Sequence, residues 1–266
     1  MPPIQKPQKN LGTRIRFFRK RAGISQLDLE AETSMSAGMV SRIETNQVNP
    51  NKETIFNIAN VLNLNNEEID YLIGKTALPA VDNEIENAKK EASAELSKKG
   101  ELAYLLDDRW RFHKFSEPFI KLLDLTSSEV DFIIDKTTAQ IILIEDSPFL
   151  KRLDKDKYGD NFENLYRDYL PLYFAYQAYK DDDVVFQDTL RLIMTNKISR
   201  EIWQKLSYKK DRKYASQESR MLYFDIDGDK FPLYYGVQPL FENSRFVIVE
   251  YRTKDTFLEG LPNLIP

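Results

Sequence analysis

Between Ser34 and Pro50 the chain reads SMSAGMVSRIETNQVNP. Ser36 is a residue type that caps helices, and Ala37 and Gly38 follow it directly. Val40-Ser41-Arg42-Ile43-Glu44 then runs into Asn46. A glycine in the first turn is a poor way to start a core helix. It suits a helix whose first turn must approach another surface closely. Other stretches suggest chemistry and then fail its requirements. Asp225–Lys230, DIDGDK, looks like a calcium loop, but the carboxylate needed eleven residues after Asp225 is replaced by Gly236. It reads instead as a turn between two strands. His113, Ser116 and Glu117 are close in sequence, yet no nucleophile-elbow glycines surround Ser116. The acidic KDDDVV at 180–185 reads as an exposed helix start. With no cysteine there is no disulfide, zinc knuckle, iron–sulfur site or thiol nucleophile, and the lone His113 excludes a two-histidine HExxH site. The nine glycines are scattered and form no phosphate-cradling loop. The expectation is a protein that is not an enzyme and needs no metal or cofactor.

The elements that would position these residues follow from periodicity. Leu11, Ile15, Phe18 and Ala22 recur at helical spacing up to Gly23. Ser25 can cap a second helix with Leu27, Leu29 and Ala31, and Ser36 a third with Met39, Val40 and Ile43. Asn51 or Lys52 opens a fourth with Ile55, Ile58, Ala59 and Leu62. A fifth spans about Asn66 to Ile73 and stops at Gly74. Residues 9–74 thus form an all-α domain near the lower size limit for independent folding. Residues 75–100 are charged and almost without large apolar side chains, which predicts an exposed helical linker. From 101 to 256 the pattern is α+β. Strand-like runs are AQIILIE, RMLYFDI, FPLYYGV and RFVIVEY, the last three forming an antiparallel meander. Helical runs are SEPFIKLLDL, NFENLYRDYLPLYFAYQAYK and VVFQDTLRLIMTNKISREIWQKL. Residues 257–266 are a tail.

The length of 266 residues is ample for two domains. A formal charge of −4 excludes a simple polybasic nucleic-acid binder, but Lys9, Arg14, Arg16, Arg19, Lys20 and Arg21 form one basic edge without an acid. The apolar runs are too short to span a bilayer, and MPPIQKPQKN lacks a signal-peptide core. A cytoplasmic, non-membrane location is expected.

In order and spacing, Ser25-Gln26, Ser36, Val40–Glu44 and Asn49-Pro50 followed by KETIFNIANVLNL resemble the lambda-repressor-like helix-turn-helix family of the Xre/Cro type. The resemblance covers about residues 10–73. It implies a five-helix DNA-binding domain whose third helix enters the major groove of double-stranded DNA. Ala37 and Gly38 would lie nearest the DNA, with Ala37 against a thymine methyl. Arg42 would reach guanine O6 and N7 or a phosphate, and Gln26 an adenine or a phosphate. Helix N-termini would add N–H donors for phosphates. The implied DNA-contacting set is Ser25, Gln26, Ser36, Ala37, Gly38, Ser41 and Arg42. Arg19 and Glu44 match positions that pair across this fold. Glu30 stands where the family has a small alanine, Ser34 where it has the turn glycine, and Asn46 replaces a glycine after the third helix. The first two substitutions imply an adjusted angle between the helices. A homodimer on two half-sites is the implied assembly.

LLDDRWRFHKFSEPFIKLLDLT resembles the entry of a PAS-type sensor domain. With NKISREIWQKL and VIVEYRT, the region is similar to the C-terminal domain of MmyB-like regulators. That resemblance implies a PAS-like pocket for a small aliphatic, fatty-acid-like ligand that modulates transcription. From the residues themselves two readings stand. The aromatics of NLYRDYLPLYFAYQAY pack a core, or some of them (Tyr166, Tyr169 and Tyr173) line a cavity with Phe119, Leu123 and Trp203. The whole reads as a transcription regulator, or alternatively as an interaction and dimerisation module without DNA binding.

Overall fold

The computed structural model describes residues 8–97, 101–206 and 221–253. Among these, one compact unit comprises residues 8–79 and 175–187, and a second comprises 80–97, 101–174, 188–206 and 221–253. The tail expected over 257–266 lies outside the described residues.

The first unit contains helices α1 (Leu11–Ala22), α2 (Gln26–Glu32), α3 (Met39–Glu44), α4 (Lys52–Val61) and α5 (Asn66–Leu72). Four of them start on a polar side chain that accepts the N–H of the helix's third residue: Asn10, Ser25, Asn51 and Asn65. Their ends are equally local. Gly23, Ser34, Asn46 and Asn63 take φ of 73°, 55°, 59° and 51° after α1 to α4. The next N–H then returns to the carbonyl five residues back, as from Ile24 to Arg19 and from Met35 to Glu30. Serine and asparagine tolerate this left-handed backbone less well than glycine, so Ser34 is the strained stop. Ile15, Phe18, Leu29, Val40, Ile43, Ile58, Leu62, Tyr71 and Leu72 form the core, with Tyr179 among them.

The second unit is α+β. Its strands are β1 (Leu102–Asp107), β2 (Phe112–Phe115), β3 (Met221–Ile226), β4 (Asp229–Pro239) and β5 (Phe246–Arg252), all antiparallel in the order β2-β1-β5-β4-β3. The late meander is present as expected, and β1 joins it through Leu102↔Tyr251 to Asp107↔Phe246. DIDGDK makes the turn between β3 and β4. Ile226 pairs with Asp229 across Asp227 and Gly228, both at positive φ. Alternation along β1 sends Ala103 and Leu105 to one face and Tyr104 to the other. The Tyr104 ring lies 4.9 Å from Phe112, 5.4 Å from Phe119 and 5.7 Å from Tyr251, in an aromatic core.

Three expectations are corrected here. The segment 75–100 holds α6 (Asp82–Leu96), which is not an exposed connection: Ile85, Ala88, Ala92 and Leu96 are buried against Ala103, Leu105, Phe246 and Ile248. A stripe made mostly of alanine gives a weak hydrophobic signal but packs closely on a sheet. AQIILIE is not a strand. It lies on α9 (Thr138–Leu143), the third of three short helices after β2, following α7 (Glu117–Leu122) and α8 (Ser127–Ile133). Thr137 caps α9, its side chain accepting the Gln140 N–H while the Gln140 side chain accepts the Thr137 N–H. The long helical run after residue 184 is broken at Asn196, which caps a new helix. After α10 (Lys155–Tyr158) the elements are therefore α11 (Glu163–Gln177), α12 (Val184–Thr195) and α13 (Lys197–Trp203). No helix among the described residues is long and apolar enough to cross a membrane.

Candidate nucleic-acid interface

The two helices of the turn are started differently. Ser25 caps α2 reciprocally with Asp28: its Oγ accepts the Asp28 N–H at 3.0 Å, and the Asp28 carboxylate accepts the Ser25 N–H at 3.2 Å. Ser36 does not cap α3, which is a correction. Gly38 holds the cap position at φ 79°, with no side-chain hydrogen bond of its own, and Met39 N–H returns to the Ser36 carbonyl. The left-handed backbone favours glycine here, and crowding does not, since a Cβ there would meet nothing within 4 Å. Ala37 and Gly38 therefore precede α3 as an exposed turn and do not form its first turn. The acceptor that α3 lacks locally comes from α2. Glu30, only 5% exposed, accepts the Val40 N–H at 2.9 Å. This carboxylate also lies favourably at the positive end of the helix. One of the N–H groups expected to serve a phosphate is thus already engaged. Sequence reasoning saw Glu30 only as a departure. The signal available was a buried-helix position carrying an acid nine residues before an uncapped helix.

From the other side α1 clamps α3. Arg19 is bidentate to the buried Glu44, with Nε to Oε1 at 2.6 Å and an η nitrogen to Oε2 at 3.1 Å, and it also donates to the Ile24 carbonyl at 2.7 Å. This is the pair expected from the sequence. Gln26 joins it, donating through Nε2 to Glu44 at 2.7 Å. Gly12 touches the end of α3: an added Cβ would stand 2.2 Å from the Ile43 carbonyl oxygen, and its N–H donates to Asn46 Oδ1 at 3.3 Å. Above this clamp Arg42 is exposed and has no hydrogen bond or ion pair through its side chain among the described residues. Ser41 beside it is half-buried.

Half of the basic edge, three of its six cations, is paired with carboxylates. Lys9 pairs with Asp181, Arg19 with Glu44 and Arg21 with Glu68. Arg14 is buried, donating to the Leu72 carbonyl over the Tyr71 ring. These cations tie α1 down because they lie between helices. Arg16 and Lys20 of the same helix remain exposed, as does Lys52 at the start of α4.

In the second unit the six residues expected around a cavity separate. Phe119 and Leu123 are fully buried, Phe119 stacking between Phe115 and Phe149. Tyr173 packs 5.9 Å from Trp110 and 6.4 Å from Trp203, and the Tyr169 hydroxyl bonds that of Thr138. Burial holds the Tyr169 hydroxyl well above the usual phenol range. Tyr166 is the one of the six that lines a cleft of about 970 Å³, with Leu150, Phe162, Leu192 and Ile198 on its walls and a mixed charged lining in which Lys151, Lys155 and Lys197 are joined by Glu145, Asp146 and Asp160. The Ser116 hydroxyl is engaged by backbone: it donates to the Glu101 carbonyl and accepts the Ala103 N–H. His113 faces Asp107 at 3.1 Å and Asp135 at 3.4 Å instead of Ser116.

Residues 15–69 match the helix-turn-helix family and are a helix-turn-helix domain, the kind of fold with which transcription regulators bind DNA. No curated protein matches the chain.

Proposed function

We propose that this protein is a sequence-specific, DNA-binding transcription regulator that reads double-stranded DNA with α3 and the turn before it. The observation that carries the reading is Arg42, exposed and unpaired among the described residues on a helix immobilised from beneath by Glu30, Gly12 and the Arg19–Glu44 pair. A preorganised donor of this kind suits bidentate contact with guanine. Ala37 and Gly38 form the close-approach turn, Ser36 and Ser41 flank it, and Ser25 and Gln26 lie at the α2 end toward the backbone. Gln26 acts through its amide oxygen or by exchanging its bond to Glu44. The five helices within residues 9–74 form the reader, the second unit with α6 forms the sensor, and a homodimer presents two readers to two half-sites. The sensor takes a small, mainly aliphatic ligand. The Tyr166 cleft supports this better than the packed positions of Phe119 and Leu123 do, because it offers an open volume with apolar walls.

The test is selection of duplexes from a randomised library by the full-length chain, followed by titration of the selected site. Arg42→Ala should cost about 1–3 kcal/mol and relax one base position if it reads guanine. An equal loss on every sequence, with the salt slope reduced by about 0.9, would mark a phosphate contact instead. Unchanged affinity for selected and scrambled duplexes alike would overturn the assignment.

A further inference from the structure

The core of the DNA reader is not completed by residues 8–79. Tyr179, 1% exposed, lies in the same cluster as Phe18 and Tyr71, its ring centroid 5.8 Å from the first and 5.1 Å from the second. A polar lock surrounds the ring. The Lys9 ammonium pairs with Asp181 and donates to the Tyr179 carbonyl at 3.3 Å. Asp182 accepts from the Lys9 backbone N–H and from the Tyr71 hydroxyl, each at 2.6 Å. Burial first, and the bond to Asp182 next, hold the Tyr71 hydroxyl well above the usual phenol range, so it stays a donor at physiological pH. The acidic run read as an exposed helix start is therefore partly interior, with Asp183 buried and accepting the Val185 N–H. Residues 175–187 are flanked in the chain on both sides by residues of the second unit.

The helix that receives this segment also holds the recognition helix. Lys9 and Phe18, in and just before α1, meet Tyr179, while Gly12 and Arg19 of α1 hold α3. We infer that residues 175–187 are a strap, and that Tyr179 and Asp182 are positioning residues of the DNA reader: with the strap seated, α1 keeps α3 in its reading geometry. The DNA-binding consequence rests on the function proposed above, whereas the seating does not. A strap that favours the DNA-bound form must by reciprocity be favoured by DNA, and it leaves the bases and phosphates to other residues.

The experiment uses the full-length chain and hydrogen exchange. Tyr179→Ala should raise exchange in α1 and α5 at least tenfold, with β1 and β5 unchanged. Tyr179→Phe, which keeps the ring, should stay near wild type. Asp182→Asn, a milder lesion, should give a several-fold rise in the same two helices, and it decides the matter should Tyr179→Ala lose protection throughout. Unchanged α1 and α5 protection in Asp182→Asn together with unchanged or global loss in Tyr179→Ala would overturn the strap. The chain has no cysteine, so Ala178→Cys supplies a single thiol reporter. Its alkylation should be slow, and several-fold slower again with the duplex selected from the library. Alkylation at the rate of a free thiol would also overturn the strap, and DNA-independent slow alkylation would remove its role in reading. A wild-type chain that selects no duplex would sink the DNA-binding function, while the exchange results would still decide the seating.

Discussion

The two helices of the helix-turn-helix are close in length and adjacent in the chain, yet they are held by different kinds of interaction. The start of α2 is made within four residues, by Ser25 and Asp28 acting on each other's backbone. The start of α3 depends on Glu30, nine residues earlier, and its C-terminal end on Arg19 and Gly12 of another helix. The second arrangement makes α3 a helix whose existence and placement are one event. A six-residue helix is far too short to be stable alone. The contacts that allow it to form also fix where its exposed arginine lies.

The largest break in this comparison should come from Arg19→Met. It removes one partner of a buried ion pair and leaves Glu44 without its guanidinium, at a cost of about 3–5 kcal/mol. Exchange in α3 should then approach that of the open reader, and Gln26 should not rescue it. Glu30→Ala should cost about 1.5–3 kcal/mol, because the buried Val40 N–H loses a charged acceptor. Glu30→Gln should restore most of that by keeping an oxygen in place. The comparison is sharpened by Ser25→Ala, for which about 1 kcal/mol is expected, with loss of protection confined to the first turn of α2. Equal effects of the Ser25 and Glu30 substitutions on α3 would show that the two caps are not separate. The smallest effect has the opposite sign. Ser34→Gly should stabilise the reader by about 0.5–1 kcal/mol by relieving the left-handed stop after α2, read as a higher unfolding midpoint.

What could be read from the sequence divides along the same line. Ser25 was recognisable as a cap, and Asn51 as one of two openings of α4, because the groups they satisfy are three residues away. The five short helices and the β3–β4–β5 meander were legible for the related reason that periodicity and turn residues are local signals. AQIILIE was misjudged because a run of apolar residues fits a strand or a buried helix equally. The Thr137-x-x-Gln140 pattern that decides for helix was present but weak. The burial of α6 was hidden by alanine. At the candidate site the Arg19–Glu44 pair was legible, whereas the Glu30 cap was not, and neither was the capture of Gln26 by Glu44. The engagement of Lys9 by Asp181 and Asp182 spans more than 170 residues, and no local pattern encodes such a meeting.

The position of Tyr179 in the reader's core has a consequence for synthesis on the ribosome. A self-contained helix-turn-helix would ordinarily fold as soon as it clears the exit tunnel. Here its five helices emerge with the Phe18–Tyr71 ring pair still lacking the third ring that packs against both. At translation rates of about 5–20 residues per second, the roughly one hundred residues before the strap delay completion by about 5–20 s. During that interval the faces of Phe18 and Tyr71 that Tyr179 covers lack that cover. The reader's packing is completed only once residues 175–187 have been made, so a product terminated before them would carry the helix-turn-helix without the packing that Tyr179 supplies.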